Sequence, residues 1–490
     1  MSVPAVLKGQ IEKIFIGGEW VAPHSGRRFT LVSPSTEEIF AEIPEPVEAD
    51  VDAAISAARR SFDTGIWRRK PLDERIEVLR RLSASLAEHE SEIAQLVTSE
   101  MGSPITTSTG MQSVGPRLLL DAFLELAPKY QWTDKRTHAT GNAFVTREPV
   151  GVVAAIVPWN APLLVSIIKV APALLAGCSV ILKPTPQTAL DAYFLAHLLQ
   201  SSGLPDGVFS VIAADREVSE YLVRHQDVDK VSFTGSTAAG RRIGAICGND
   251  VRRCTLELGG KSAAIVLEDA DLDTVIASVR ALSLRNSGQA CSNKTRLVVS
   301  RSIRSAFDDR LVSMMNDMPV GDPFDPATAI GPVASATQRD RVNEYIEIGK
   351  ASRAHLLVGG ESSHFDRGYF VTPTIFTDVE PGARIAQEEI FGPVLTVHYF
   401  DTEDEAVSIA NDSQYGLNGS VFSADIERAF EVARGIRTGT VEVNGNGGGF
   451  FAPIGGFKRS GIGREAGLEG FDAFTELKSY GLPAGFLDAL

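Results

Sequence analysis

Residues 151–257 alternate two hydrophobic patterns. Short runs rich in Val and Ile, at 151–157, 179–182, 208–212 and 230–233, read as strands, while apolar residues recur at helical spacing over 163–176, 187–202 and 215–225. Strands alternating with helices predict a parallel, doubly wound α/β sheet, which binds ligands at the carboxyl ends of its strands. Upstream, 49–62 sets Val51, Ile55, Ala58 and Phe62 on one helical face after Asp50, and Leu79, Leu82, Leu86, Ile93 and Leu96 predict a single helix over 73–101. A second alternation runs from 259 to 445, with strands expected at 263–267, 295–300 and 394–399. Gly259-Gly260 is a natural hinge between the halves. The chain turns glycine-rich at Gly445, Gly447, Gly448 and Gly449, and the tail FTELKSYGLPAGFLDAL reads as an extended strand without a neighbouring partner in sequence.

Composition narrows the class. A chain of 490 residues exceeds one hydrophobic core and implies about two or three domains. With 44% hydrophobic residues it can bury large cores. A formal net charge of −15 disfavours nucleic acid and anionic membranes as partners, because both need a concentrated basic surface. The four cysteines (Cys178, Cys247, Cys254, Cys291) form no CxxC pair, which argues against a disulfide framework and a structural zinc site; no metal is expected. MSVPAVLKGQIEK lacks the pattern of a signal peptide. The most membrane-like segment, 150–168, is interrupted by Pro158, Asn160 and Pro162 and reads better as strand-turn-helix. A cytoplasmic protein is expected.

Several strand ends carry candidate chemistry. Glu257, between leucines in LELGGK, is a carboxylate whose burial would raise its pKa toward that of a general base. Cys291, in GQAC beside Gly288 and Ala290, is either a buried apolar residue or a thiol in close reach of a ligand. A thiol that attacks and a carboxylate that activates water are the groups needed to make and hydrolyse a thioester. Asn160 ends the first strand, where its amide would stabilise an oxyanion or cap the following helix. Lys183 ends the second, as a solvated cation or a contact to a ribose or phosphate. Ser236, in FTGST, would cap a helix or join free N–H groups in binding a pyrophosphate. This is not GxGxxG, and Gly461-Ile462-Gly463 follows no predicted strand. Glu388-Glu389-Ile390-Phe391 adds an acidic pair beside an aromatic ring.

In this order the motifs closely resemble the aldehyde dehydrogenase superfamily of the hydrolytic, NAD(P)-dependent type. The match runs through FIGGEWV at 15–21, PWN at 158–160, KP at 183–184, GLPDGVFSVI at 203–212, FTGST at 233–237, LELGGK at 256–261, GQAC at 288–291, EEIFGPV at 388–394 and PIGGFKRSGIGRE at 453–465. The resemblance implies that Cys291 is the nucleophile, that Asn160 and the Cys291 N–H form the oxyanion hole, and that Glu257 activates water to hydrolyse the thioester. It makes Lys169 a charge near the catalytic site. For the cofactor it implies Trp159, Lys183, Gly235, Ser236, Gly259, Glu389 and Phe391. It also implies an atypical Rossmann cofactor domain (1–126 and 149–258), a catalytic α/β domain (259–469) and a bridging β-element (127–148 and 470–490) that assembles homodimers or homotetramers.

Two departures from the family pattern matter. Where NAD-selective relatives often carry Glu, this chain has Pro186, so exclusion of NADP is weakened and NAD is favoured only in part. Where relatives acting on small aldehydes place aromatic residues, this chain has Ala161, Val165 and Ile168, followed later by a glycine-rich loop, Phe450 and Ile454. A wide apolar tunnel is expected, for a bulky terpenoid, aromatic or medium-chain aldehyde. A semialdehyde dehydrogenase is the first alternative. A CoA-acylating dehydrogenase would lack Glu257, a cysteine hydrolase would pair its thiol with His, and a non-enzymatic protein on this fold would typically lose the nucleophile or the base.

Overall fold

The computed structural model describes residues 3–490. Its fold is a mixed α/β architecture built on two sheets. The first has eight strands, ordered Glu19–Val21, Ile14–Ile16, Phe209–Val211, Ser179–Lys183, Val152–Ile156, Lys230–Thr234, Arg253–Glu257 and Gly461–Ile462. The five strands from Phe209–Val211 to Arg253–Glu257 are parallel. The chain lays Val152–Ile156 in the middle, builds outward on one side, then crosses to Lys230–Thr234 on the other. That reversal leaves a crevice at the strand ends, the usual ligand site of such sheets.

Each central strand is buried on both faces, hence the near-continuous apolar runs in sequence. Along 152–157 the side chains alternate between two cores. Val153, Ala155 and Val157 join the core under the helix Pro162–Ala176, and Val152, Ala154 and Ile156 join the one containing Val51 and Ile55. The second sheet has seven strands, six of them parallel, from Thr374–Thr377 through Val394–Phe400, Arg296–Ser300, Ala263–Val266 and Asn418–Phe422 to Thr440–Val443. Gly259-Gly260 carries the chain from one sheet to the other.

Three expectations are corrected. The helix expected over 73–101 is two helices, Leu72–Glu88 and Glu90–Met101, because His89 leaves helical geometry at ψ 14°. Gly461–Ile462 is itself a strand and pairs antiparallel with Leu256 and Glu257. The tail strand Thr475–Gly481 finds its partner far back in sequence, in Gly141–Pro149, which pairs in turn with Thr133–His138. The tail does not stay extended; it ends in the helix Ala484–Ala489. Among the described residues no helix is long and apolar enough to cross a membrane.

Candidate active site

The strand ends of the first sheet present Pro158-Trp159-Asn160, Lys183, Gly235-Ser236 and Glu257 along one edge. From the second half, the turn Arg285–Gly288 brings Cys291, and the segment after Arg384–Gln387 brings Glu389 and Phe391. The two halves meet closely at the hinge. A Cβ on Gly259 would lie 2.1 Å from Glu389 Oε2, and one on Gly260 would lie 2.7 Å from the Cys291 carbonyl oxygen. Glycine is needed at both positions for space.

The loop that leads to Cys291 is built from unusual backbone. Asn286, Ser287 and Gly288 all have positive φ (57°, 56° and 80°), a costly run for side chains that carry a Cβ. Side-chain bonds hold it. Ser287 Oγ donates to the Gly331 carbonyl at 2.9 Å, and Gln289 Oε1 accepts the Ala334 N–H at 2.9 Å. Asn160 does not cap the following helix, whose N-cap is Ala161. Its Nδ2 instead donates to the Gln289 carbonyl at 3.0 Å, two residues before Cys291.

Glu257 and Cys291 have no ion-pair partner among the described residues. Glu257 is buried, and its carboxylate has no hydrogen-bond or salt-bridge partner among the described residues. Burial pushes its carboxyl well above the usual range, and Glu465 adds to that, while Lys169 and Arg464 oppose it. Burial pushes the Cys291 thiol up to about 12, with Glu257 and Glu389 adding to the shift and Arg285 opposing it. At rest the sulfur holds its proton. Lys169 is fully buried and lies beside Ser232 (Nζ to Oγ, 3.3 Å), ion-paired with Glu465. It therefore influences Glu257 through its charge. Glu465 closes RSGIGRE and was not singled out in the sequence; only the carboxylate at the end of that motif hinted at it.

The crevice suits a dinucleotide. Lys183 is buried at its strand end with no carboxylate in salt-bridge range among the described residues, and burial lowers its ammonium to about 8, partly offset by Asp215. Thr234 Oγ1, two strands along the sheet, is buried without a partner among the described residues. Ser236 caps the helix Thr237–Asn249 by accepting the Ala239 N–H at 3.3 Å; its hydroxyl hydrogen remains for a ligand at that N-terminus. Gly235 lies over the Phe233 ring, which a Cβ would meet at 2.5 Å. Pro186 opens a short 3-10 turn after Lys183. Across the crevice, the Glu389 side chain accepts a hydrogen bond, its only one among the described residues, from the Gly260 N–H (3.0 Å), and burial raises its carboxyl to about 7. The Trp159 ring meets Phe391 edge-on at 5.4 Å. An unpaired cation, a spare hydroxyl and a helix N-terminus on one wall, with a carboxylate opposite, fit phosphates and ribose hydroxyls respectively. Among the described residues no group of three or more His, Cys, Asp or Glu is placed to hold a metal.

Of the expected tunnel residues, Ile168 belongs to the core under Pro162–Ala176, Val165, Phe450 and Ile454 are partly buried against that core, as are Trp159 and Leu164, and Ala161 is buried at the N-cap of the same helix. Ile454 exchanges backbone hydrogen bonds with Glu465, linking this wall to the Lys169 pair.

Comparison with known proteins gives a consistent result. The family model described as "Aldehyde dehydrogenase family" matches residues 20–480. The geranial dehydrogenase of Castellaniella defragrans is 45% identical over 469 residues, covering 96% of this chain and 98% of that protein. A 3-succinoylsemialdehyde-pyridine dehydrogenase from a Pseudomonas species is 42% identical over 472 residues, covering 95% of this chain and 98% of that protein. The crystal structure of a Mycobacterium tuberculosis aldehyde dehydrogenase complexed with NAD+ superposes with a TM-score of 0.95 at 44% identity, covering 97% of this chain and 98% of that one.

Proposed function

The chain belongs to the aldehyde dehydrogenase family and is an NAD(P)-dependent enzyme that oxidises aldehydes; from that premise we propose that its substrate is a bulky hydrophobic aldehyde, oxidised through a thioester on Cys291. The Cys291 thiol gives up its proton to solvent, and its sulfur bonds to the aldehyde carbon. The carbonyl oxygen becomes an oxyanion and takes hydrogen bonds from the second Nδ2–H of Asn160 and from the Cys291 N–H. When bound, the oxidised nicotinamide supplies the hydride acceptor that brings the carbon to the acyl level. Glu257 then takes a proton from water as the water oxygen bonds to the acyl carbon. The carbon–sulfur bond breaks, the carboxylic acid leaves, and Cys291 regains its thiol. Lys183, Thr234 and Ser236 would hold the phosphate and adenosine end of the cofactor, and Glu389 with Phe391 and Trp159 would hold the nicotinamide end. The observation that carries this reading is the bond from Asn160 Nδ2 to the Gln289 carbonyl, which ties the amide to the loop two residues before Cys291 and leaves its other hydrogen without a partner among the described residues. Cys291→Ala abolishes dehydrogenase activity while cofactor binding, read by fluorescence, persists; retained turnover would end the assignment.

The substrate class rests on small side chains. Ala161 and Val165 leave volume that aromatic residues would fill, Phe450 and Ile454 supply an apolar wall, and a Cβ at Gly447 or Gly449 would meet nothing within 4 Å. A relative whose name specifies geranial, a branched terpenoid aldehyde, supports the same class. The semialdehyde alternative has a relative of its own, although the acyl end of the compound in its name is a ketone on pyridine; a carboxylated semialdehyde needs a free cation. Arg459 is bound to Gln414, and Arg464 to the carbonyls of Gly456 and Gly463. NAD is the favoured cofactor, with NADP admitted because Pro186 offers no charge to repel a 2′-phosphate. We read 1–126 with 149–258 as the cofactor domain and 259–469 as the catalytic domain. Residues 127–148 with 470–490, which leave Leu477 exposed, serve as the assembly element; light scattering tests it.

A further inference from the structure

Four amide side chains, Gln112, Asn160, Asn286 and Gln289, are buried together where the two halves of the molecule meet. Asn160 and Cys291 come from different sheets, so the distance between the two oxyanion donors depends on what joins them. The main-chain carbonyl of Asn160 accepts two hydrogen bonds, both at 2.9 Å, one from Gln112 Nε2 and one from Asn286 Nδ2. Asn286 Nδ2 also reaches the Gln289 carbonyl at 3.3 Å, and Gln289 Nε2 returns a bond to the Asn286 carbonyl at 3.1 Å. Together with the Asn160 to Gln289 bond, this closes a ring of amides around the peptide that precedes Ala290-Cys291. Gln112 is its one member from outside the strand end and the nucleophile loop. It sits on a π-helical turn, Ser108–Val114, between the helices that end at Thr107 and begin at Gly115. Such turns are uncommon and recur at functional sites. The spare N–H of Gln112 faces Met101 Sδ at 3.8 Å, so its amide has no other strong acceptor.

We propose that Gln112 is a positioning residue of the oxyanion hole: by clamping the Asn160 carbonyl it sets the direction of the Asn160 side-chain amide relative to the Cys291 N–H. The proposal rests on the reading of Asn160 as an oxyanion donor. An oxyanion donor works only within a few tenths of an ångström of its productive place. Asn286 keeps the second bond to the same oxygen, so loss of Gln112 loosens the donor without removing it.

The test is a double-mutant cycle on the full chain, with the pre-steady-state burst of reduced cofactor as readout and benzaldehyde as probe. Gln112→Met keeps the side-chain length and removes the donor. It slows the burst about tenfold, a part of the 10²–10³ that a whole oxyanion donor is worth. The cofactor dissociation constant does not move. In the Asn160→Ala background the same substitution costs less than about twofold, because the amide it positions is gone. An equal slowing in both backgrounds, or an effect confined to KM, overturns the proposal, since a packing role does not depend on Asn160. Should Gln112→Met fail to fold, Asn286→Gly removes the other donor while tolerating positive φ, and it must show the same dependence on Asn160. If Asn160→Ala alone leaves the burst intact, the oxyanion reading fails first.

Discussion

Replacing Glu257 with Gln separates two effects that the wild-type carboxylate combines. The side chain is buried without a hydrogen-bond partner, so an amide of the same shape fits the site without breaking a contact. Removing the base costs deacylation about 10²–10⁴ in rate, or about 3 to 5 kcal/mol of barrier. Acylation moves the other way. Glu257 is the largest charge contribution raising the Cys291 thiol, so the neutral variant makes that thiol more acidic. Stopped-flow measurement of reduced cofactor therefore shows a burst at least as fast as wild type, followed by very slow turnover. Stability gives an independent check. A carboxyl raised above its ordinary value of 4.5 contributes stability below that pH, and the contribution is lost as pH rises through the folded pKa. Glu257→Gln removes that loss, so its Tm exceeds wild type at pH above the folded pKa and converges with it in acid. Wild-type steady turnover by the variant, or a burst lost in proportion to turnover, would refute this account of Glu257.

Other expectations follow from the same geometry. With the Cys291 thiol pushed up to about 12, alkylation by iodoacetamide in the absence of cofactor rises roughly tenfold per pH unit across the neutral and mildly alkaline range; a plateau near pH 8 would show a thiolate already formed. Pro186→Glu places a carboxylate next to the adenosine ribose and lowers kcat/KM with NADP by at least about tenfold while NAD is spared, since a desolvated like-charge contact costs several kcal/mol; equal losses with both cofactors would move the ribose site elsewhere. Val165→Phe narrows the apolar tunnel and lowers efficiency with a terpenoid aldehyde about tenfold or more, while acetaldehyde is unaffected. A parallel loss on both substrates would take Val165 out of the tunnel.

The strands were legible because central strands buried on both faces must be apolar throughout, as 152–156 is. The site was legible to the extent that it sits at strand ends in local motifs. Glu257, Cys291, Lys183 and Ser236 each follow a recognisable strand or glycine turn, and their common order carried more weight than any one of them. Pairings between distant segments were not legible. Glu465 lies 296 residues from Lys169, and no local pattern announces that these two side chains meet. Gln112 lies in a π-helical turn whose wider winding breaks the apolar periodicity that would have oriented it. The break at His89 carries no Gly or Pro, and Thr475–Gly481 is a strand only because Gly141–Pro149 supplies an edge. Asn160 and Ser236 illustrate a subtler limit. Each was open to a capping role; the structure gives that role to Ser236 and withholds it from Asn160.

The central claim is that Cys291 oxidises a bulky hydrophobic aldehyde with a nicotinamide cofactor. Formation of reduced cofactor, followed by absorbance with NAD and NADP in parallel across acetaldehyde, succinic semialdehyde, benzaldehyde and a branched terpenoid aldehyde, tests it most directly. The account predicts the highest kcat/KM on the terpenoid or aromatic aldehyde, and no reduction by Cys291→Ala. A preference for acetaldehyde or the semialdehyde would contradict the reading of the tunnel. Turnover that survives in Cys291→Ala would contradict the chemistry itself.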